Sequence, residues 1–293
     1  MTRFVSLLAV GLLVALTGCT KVVFDSENGG ARQLLQLARP GNSITTITGP
    51  EAMQPDVSFD RNRVAFVRTV GTPPVRQVFV MTIGDAGSLQ QVTSDPVDKS
   101  YPRWSTQGQL AFRAGSDLRV LNPDFTPFDL GTPTPQADGG LDFYDNGNGL
   151  VYQRNGNLYV LPVDRSVPET PITNCPPPNT RCGSPVVSHD QTKLAYRRTV
   201  MLAAGYPEVI HVILTGSWSN LGSFMMGPAL GGSGKVHSFD FARSDNKLYV
   251  AAKSYDAATG SYGNDLLLFE VNLDGSDKSQ LAPGPQVRYP SAR

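Results

Sequence analysis

Histidine, cysteine and tryptophan are nearly missing from this sequence, with three, three and two residues among 293. An excess of charge is missing too. The 25 basic and 25 acidic side chains cancel and no long run of like charge occurs, so neither nucleic acid nor a polybasic membrane contact is expected. No G-x-S-x-G nucleophile elbow is present, and no room remains for an accompanying α/β-hydrolase domain. The stretch ALGGSGKV (229–236) evokes a phosphate loop, but Val236 follows Lys235 where Ser or Thr is needed, and the leading glycine is misplaced. It reads as a loop. No apolar run reaches the roughly 20 residues of a membrane-spanning helix. What the chain does have is glycine (29), proline (23) and a hydrophobic content of 40%, a composition of short strands and turns around an ample core.

The N-terminus carries the most specific signal. Arg3 precedes the apolar run Phe4–Leu16, which has the length of a secretion signal. Leu16-Thr17-Gly18-Cys19 follows, and small residues just before a cysteine resemble the lipobox of bacterial lipoproteins. That resemblance implies a signal peptide over 1–18, acylation of Cys19 and a lipidated tether over 19–30. Thr20 at the next position implies the outer membrane, facing the periplasm. The alternative is an ordinary secretory signal with an incidental cysteine. Several acyl chains, at about 0.8 kcal/mol per buried methylene, make such an anchor nearly permanent.

With Cys19 assigned to lipid, Cys175 and Cys182 remain as a natural disulfide pair in an exported protein. A metal site there lacks ligands, since the nearest histidine is His189 and no further cysteine is free. Neither a metal nor a cofactor is expected.

The body of the chain repeats itself. A short apolar strand, a polar or glycine turn and a second strand with a central apolar pair recur from Pro55, Pro102, Gly139, Ser184 and Val236. Taking Phe66, Phe112, Tyr152, Tyr196 and Val250 as markers, the spacings are 46, 40, 44 and 54 residues, in the range of propeller blades. A third strand follows each pair, as in QVFVMTI (77–83) and NLYVLPV (157–163), and a weaker fourth follows that. The expected fold is all-β: a β-propeller over 31–293 built of four-stranded blades. VRYPSAR at the C-terminus resembles the first strand of a unit, and RQLLQLARPGNSITTITGP (32–50) resembles a third and fourth strand. Joined, they complete a sixth blade that is short of one strand. A five-bladed ring with its ends packed outside is the alternative, and Leu34, Leu35 and Leu37 also fit a short helix.

The pattern P-x-W-S-x-x-G-x-L-A-F from Pro102 to Phe112, with its weaker copy from Pro55 to Phe66, resembles the propeller repeats of the TolB family. The resemblance implies a periplasmic setting and a partner protein in the cell envelope. Unlike that family, which is soluble and carries an N-terminal α/β domain, this chain reads as lipid-anchored, with only a dozen residues before the propeller.

Candidate site residues sit at the ends of the innermost strands: Tyr101, Arg103, His237, Asp240, Arg288 and Tyr289. Tyrosine and arginine are favoured binding anchors. Tyr206, Tyr255 and Tyr262 in long loops are further candidates. His189 reads as an exposed turn residue and His211 as a partly buried structural one. Asp138, Asp142, Asp145, Asp274 and Asp277 stand in the glycine-bearing stretches DGGLDFYDNGNG and NLDGSD and read as tight-turn residues. The expected function is a non-catalytic, monomeric scaffold binding a protein or peptide, with a channel-mouth hydrolase or lyase acting on a saccharide or lactone as the alternative.

Replacing the acylated thiol tests the anchor. Cys19→Ser is expected to release the protein from membranes and to remove the acyl mass from its N-terminal peptide, read by fractionation and mass spectrometry. Unchanged membrane retention would remove the lipid reading.

Overall fold

A single four-stranded blade cannot bury either of its faces alone, so each repeat needs neighbours on both sides. In the computed structural model, which describes residues 20–28, 31–39, 43–48, 51–200, 208–226, 236–256, 261–282 and 287–292, this requirement is met by a closed ring of six antiparallel four-stranded sheets.

The chain begins with β1 (Thr20–Asn28), β2 (Ala31–Arg39) and β3 (Ser43–Thr46). Blade one is β4 (Ala52–Val57), β5 (Arg63–Val70), β6 (Val75–Thr82) and β7 (Asp85–Gln91). Blade two is β8 (Lys99–Trp104), β9 (Leu110–Ala114), β10 (Asp117–Leu121) and β11 (Pro127–Phe128). Blade three comprises β12 (Leu141–Tyr144), β13 (Gly149–Arg154), β14 (Asn157–Pro162) and β15 (Thr170–Pro171). Blade four follows with β16 (Thr180–Val187), β17 (Lys193–Val200), β18 (Glu208–Leu214) and β19 (Asn220–Met225). Blade five has β20 (Val236–Phe241), β21 (Lys247–Asp256), β22 (Ser261–Asn272) and β23 (Ser279–Ala282). The last strand, β24 (Val287–Ser291), pairs with β1 and makes blade six in the order β24-β1-β2-β3.

Ring closure thus joins the two ends of the chain, as the terminal repeats imply. The strand that blade six lacked in the sequence is β1, which lies in the segment read as a tether. Thr20–Asn28 is a blade strand because Val22, Val23 and Phe24 are fully or almost fully buried, Val22 and Phe24 facing blade five and Val23 facing blade one. Leu34, Leu35 and Leu37 are likewise strand residues of β2, with Leu34 and Leu35 on opposite faces. Cys19 and the signal segment lie outside the described residues.

Six apolar clusters hold the ring, one in each gap between adjacent blades. The marker residues Phe66, Phe112, Tyr152, Tyr196 and Val250 each lie on the second strand of a blade and fill one of these clusters. Each large side chain buried this way contributes roughly 1.5–3 kcal/mol. The repeated serine of the turn has its own task. Ser58, Ser105 and Ser188 accept Arg63, Gln109 and Lys193 N–H at 3.0, 3.0 and 2.9 Å, locking the hairpin between the first two strands.

A second set of bonds ties the innermost strands together at one matching position. Asp56 Oδ2 accepts the Trp104 N–H of blade two at 2.7 Å, and Asp142 Oδ2 accepts Val187 N–H of blade four at 2.9 Å. Asp240 Oδ2 accepts Ala292 N–H at 3.3 Å, and Ser291 Oγ accepts Val57 N–H at 3.0 Å. Arg103 bridges the second and third blades, its Nε donating to Leu141 O at 3.4 Å while its Nη1 meets Asp56 Oδ1 at 3.2 Å. Blade four has Val186 here, and the seam to blade five is made elsewhere: Val236 N–H donates to Glu208 at 2.6 Å and Arg197 donates to Val236 O at 2.7 Å. Asp142 is therefore no turn residue. Asp138, Asp145, Asp274 and Asp277 do sit in turns, with Asp145 and Asp277 at φ 51° and 49°.

Cys175 and Cys182 form a disulfide between the segment leaving blade three and the first strand of blade four, with Cα atoms 5.9 Å apart and both residues buried. Loop-closure entropy for so short a ring is about 2.5 kcal/mol. The double variant Cys175→Ser/Cys182→Ser is expected to lose about that much unfolding free energy, measured by urea titration against the oxidised protein. An unchanged midpoint would show that the bridge contributes no stability.

Candidate functional site

The matching register of the clasps means that all six innermost strands run the same way along the channel. Their starts form one mouth, and the hairpins that follow them form the opposite face. At the hairpin face two side chains meet across the axis. Phe59 of blade one and His189 of blade four, from opposite sides of the ring, bring their rings to 6.3 Å edge-on. His189 is no freely exposed turn residue. Its Nδ1 meets Asp245 Oδ1 of blade five at 2.7 Å, and Asp245 also accepts the backbone N–H groups of His189 and Asp190 at 2.8 Å each.

The mouth is shaped by a bulge repeated in four blades. Gln54, Tyr101, Ser184 and Tyr289 have φ between 46° and 55°, each followed by proline, and each stands two residues before the clasp position. A bulge bends the strand and re-aims the side chain beside it. Because Gln54 and Ser184 share it, the left-handed conformation belongs to the repeat, and the chemistry depends on which side chain stands there. Two of the four are tyrosines. Gln54 Oε1 accepts Tyr101 N–H at 2.9 Å, and Ser238 Oγ accepts Tyr289 N–H at 2.8 Å. The long amide of Gln153 reaches across to blade four only because Gly139 and Gly183 flank it. A Cβ at either would lie 2.3 or 1.9 Å from Gln153 Oε1.

These bonds hold a connected set of half-buried rings. Tyr101 meets Tyr289 edge-on with centroids at 6.5 Å, His237 meets Tyr289 at 5.0 Å, and the Arg113 guanidinium lies over Tyr101 at 5.3 Å. Arg288 pairs with Glu27 at 2.9 Å, and Arg32 meets the same carboxylate at 3.6 Å. Behind them Asp25 and Ser26 are fully buried. Several buried polar atoms here have no hydrogen-bond partner: Ser26 Oγ, His237 Nε2 and Arg288 Nε. Burial pushes the Asp25 carboxyl up to about 7, against the downward pull of Arg32 and Arg288. Burial also presses His237 down to about 4, helped by Arg288, Arg197 and Arg32. The imidazole is therefore neutral at physiological pH.

Of the residues singled out in the sequence, Tyr101, His237, Arg288 and Tyr289 come together at this mouth. Arg103 and Asp240 lie deeper, engaged in the blade-to-blade clasps. Asp25, Ser26, Arg32 and Arg113 escaped notice, because nothing in the sequence says which blade face a second- or third-strand residue reaches. Tyr206 lies outside the described residues, and so do the side chains of Tyr255 and Tyr262. His211 stacks on Tyr196 at 5.1 Å, a packing role, and burial lowers its pKa. Among the described residues, no group of three His, Cys, Asp or Glu side chains converges as a metal site.

No protein-family model matches the sequence, and no curated protein does. Solved structures do match in fold. TolB from Acinetobacter baumannii superposes with a TM-score of 0.71 at 14% identity, over 93% of this chain and 66% of that one. A putative TolB from Agrobacterium tumefaciens gives 0.61 at 14% identity, over 92% and 90%. An oligogalacturonate lyase in complex with manganese gives 0.58 at 11% identity, over 90% and 74%. The six-bladed, TolB-like architecture is thus shared by proteins with different names and tasks, so fold alone assigns none of them here.

Asp25 and His237 make opposed predictions about pH. Asp25 rises from 3.8 to about 7 on folding, so its contribution is full below pH 4 and is lost as pH climbs through 7. His237 falls from 6.5 to about 4, so its contribution is full above pH 6.5 and is lost as pH falls through 4. Between pH 4 and 6.5 the two nearly cancel. Asp25→Asn is expected to gain on the order of 3 kcal/mol at pH 8 and to steepen the acid limb. His237→Gln is expected to leave a stability that declines from pH 4 to 7. Urea titrations across pH check both, and parallel profiles for the two variants would contradict them.

Proposed function

We propose that this protein is a lipid-anchored propeller of the bacterial cell envelope that binds a protein or peptide partner at the mouth of its channel, without catalysis. The observation that carries the reading is the contrast between the two ends. Across one, Phe59 and His189 meet ring to ring. The other presents the half-buried rings of Tyr101, Tyr289 and His237, with the Arg113 guanidinium over Tyr101. Aromatic rings held by backbone bonds lose little entropy on binding.

The course of β1 agrees with an anchor at Cys19. β1 runs antiparallel to β24, with Val23 opposite Ser291 and Ser26 opposite Val287. Thr20 therefore stands at the hairpin end. An acyl group on the preceding residue would set the hairpin face toward the outer membrane and turn the mouth to the periplasm. The enzymatic alternative draws on Asp25, whose raised pKa would suit an acid. That side chain is 0% exposed, which puts its proton out of a substrate's reach, so the observations favour binding.

The experiment is photocrosslinking in intact cells, with the photoreactive residue placed at Tyr101 or, as a control, at the exposed Leu221 on the outer edge of blade four. The expected result is a discrete adduct from position 101 alone, weakened at least fivefold by Tyr289→Ala. Equal adducts from both positions, or none from the mouth, would sink the reading.

A further inference from the structure

The mouth also has a sign. Four arginines stand around it: Arg32, Arg113, Arg197 and Arg288. Against them are Glu27, shared between Arg32 and Arg288, and Glu208, which meets Arg197 at 3.5 Å and also accepts Val236 N–H. Among the described residues Asp25 is the third acidic group, and its burial leaves it only partly ionised near neutrality. Positive charge therefore outweighs negative.

Arg113 is the most available member. The position after the marker aromatic holds Arg113, Gln153 and Arg197 in blades two, three and four. Gln153 meets Ser184 N–H at 3.4 Å and Arg197 donates to Val236 O at 2.7 Å, so both reach the next blade's innermost strand. Arg113 instead donates from Nε to Ser100 Oγ at 3.2 Å and lies over Tyr101, and it pairs with no carboxylate among the described residues. At the other end of the ring set stands Arg288, next to Tyr289 in the chain, which meets Glu27 at 2.9 Å and is partly exposed.

Resting on the binding reading above, we infer that the mouth recognises an acidic peptide segment. One of its carboxylates is taken by Arg113 over Tyr101 and another by Arg288 beside Tyr289, with the backbone between them crossing the tyrosine edges. Guanidinium groups bind carboxylates through charge-assisted paired hydrogen bonds, and a stacked arginine has its fork already oriented. Asp25 responds to such a ligand, because a second anion beside it raises its proton affinity further. Binding near pH 7 therefore takes up protons.

The test uses the folded mature protein and two fluorescein-labelled octapeptides of equal length, one alternating Glu with Gly and one alternating Lys with Gly. Anisotropy is expected to show binding of the Glu peptide only, weakening as salt rises. Arg113→Gln and Arg288→Gln should each weaken it about tenfold, the loss of one charge-assisted contact. Arg113 stands clear of the closing seam, so its variant remains informative if Arg288→Gln fails to fold. Calorimetry in buffers of different ionisation enthalpy should show proton uptake that Asp25→Asn abolishes. Equal binding of the Lys peptide, or affinity untouched by Arg113→Gln, overturns the inference. So does arginine-dependent binding of trigalacturonate without the Glu peptide, which would assign the site to an acidic saccharide. A crosslinked partner captured from the mouth through a neutral or basic segment would overturn the acidic preference while leaving the binding reading intact.

Discussion

Everything in this molecule depends on a carboxylate one position from the middle of an innermost strand accepting a backbone N–H from the next blade. Asp56, Asp142 and Asp240 do this from alternate blades, and Ser291 repeats it across the seam between the chain ends. Apolar packing between blades is strong but poorly directional, and two twisted sheets can slide on one another. A charged acceptor aimed at one particular N–H removes that freedom. It fixes how far each blade sits along the axis, and so brings side chains from four blades to a common level at the mouth.

Blade four shows what happens without this device. Val186 occupies the clasp position, and the seam to blade five is carried toward the two rims by Glu208 and Arg197 at the mouth and by Asp245 at the hairpin face. Asp245 thereby gathers His189 into its network, and the imidazole is set against Phe59. A local substitution of carboxylate by valine thus accompanies both the ring contact across one end of the channel and the use of Arg197 as a structural strut at the other.

The ring was legible from the sequence because a buried aromatic or aliphatic residue returns at blade spacing, in three blades with a serine-bearing turn before it. Phe66, Phe112 and Tyr152 needed no neighbours to be seen. β1 was obscured because its residues follow a signal-like segment, although Val22, Val23 and Phe24 form a strand-forming run. Asp142 was misjudged for a related reason: next to GGL and YDNG a carboxylate looks like turn chemistry, and only the register places it in mid-strand. The mouth was half visible. Tyr101 and Tyr289 stand in the repeated pre-proline slot, whereas Arg113 and Asp25 become site residues only through the face of the sheet they occupy.

β1 has a mechanical consequence. It is paired along all nine residues with β2 and at three positions with β24. If a lipid is attached before its start and a partner binds at the far mouth, as proposed above, any tension between membrane and partner runs lengthwise along this strand. Such a load shears the ladder, straining its hydrogen bonds together, where a perpendicular pull would peel them one at a time. The strand that closes the ring is thus also paired so as to resist a lengthwise pull, and a failure under load would open the propeller at the seam between β1 and β24.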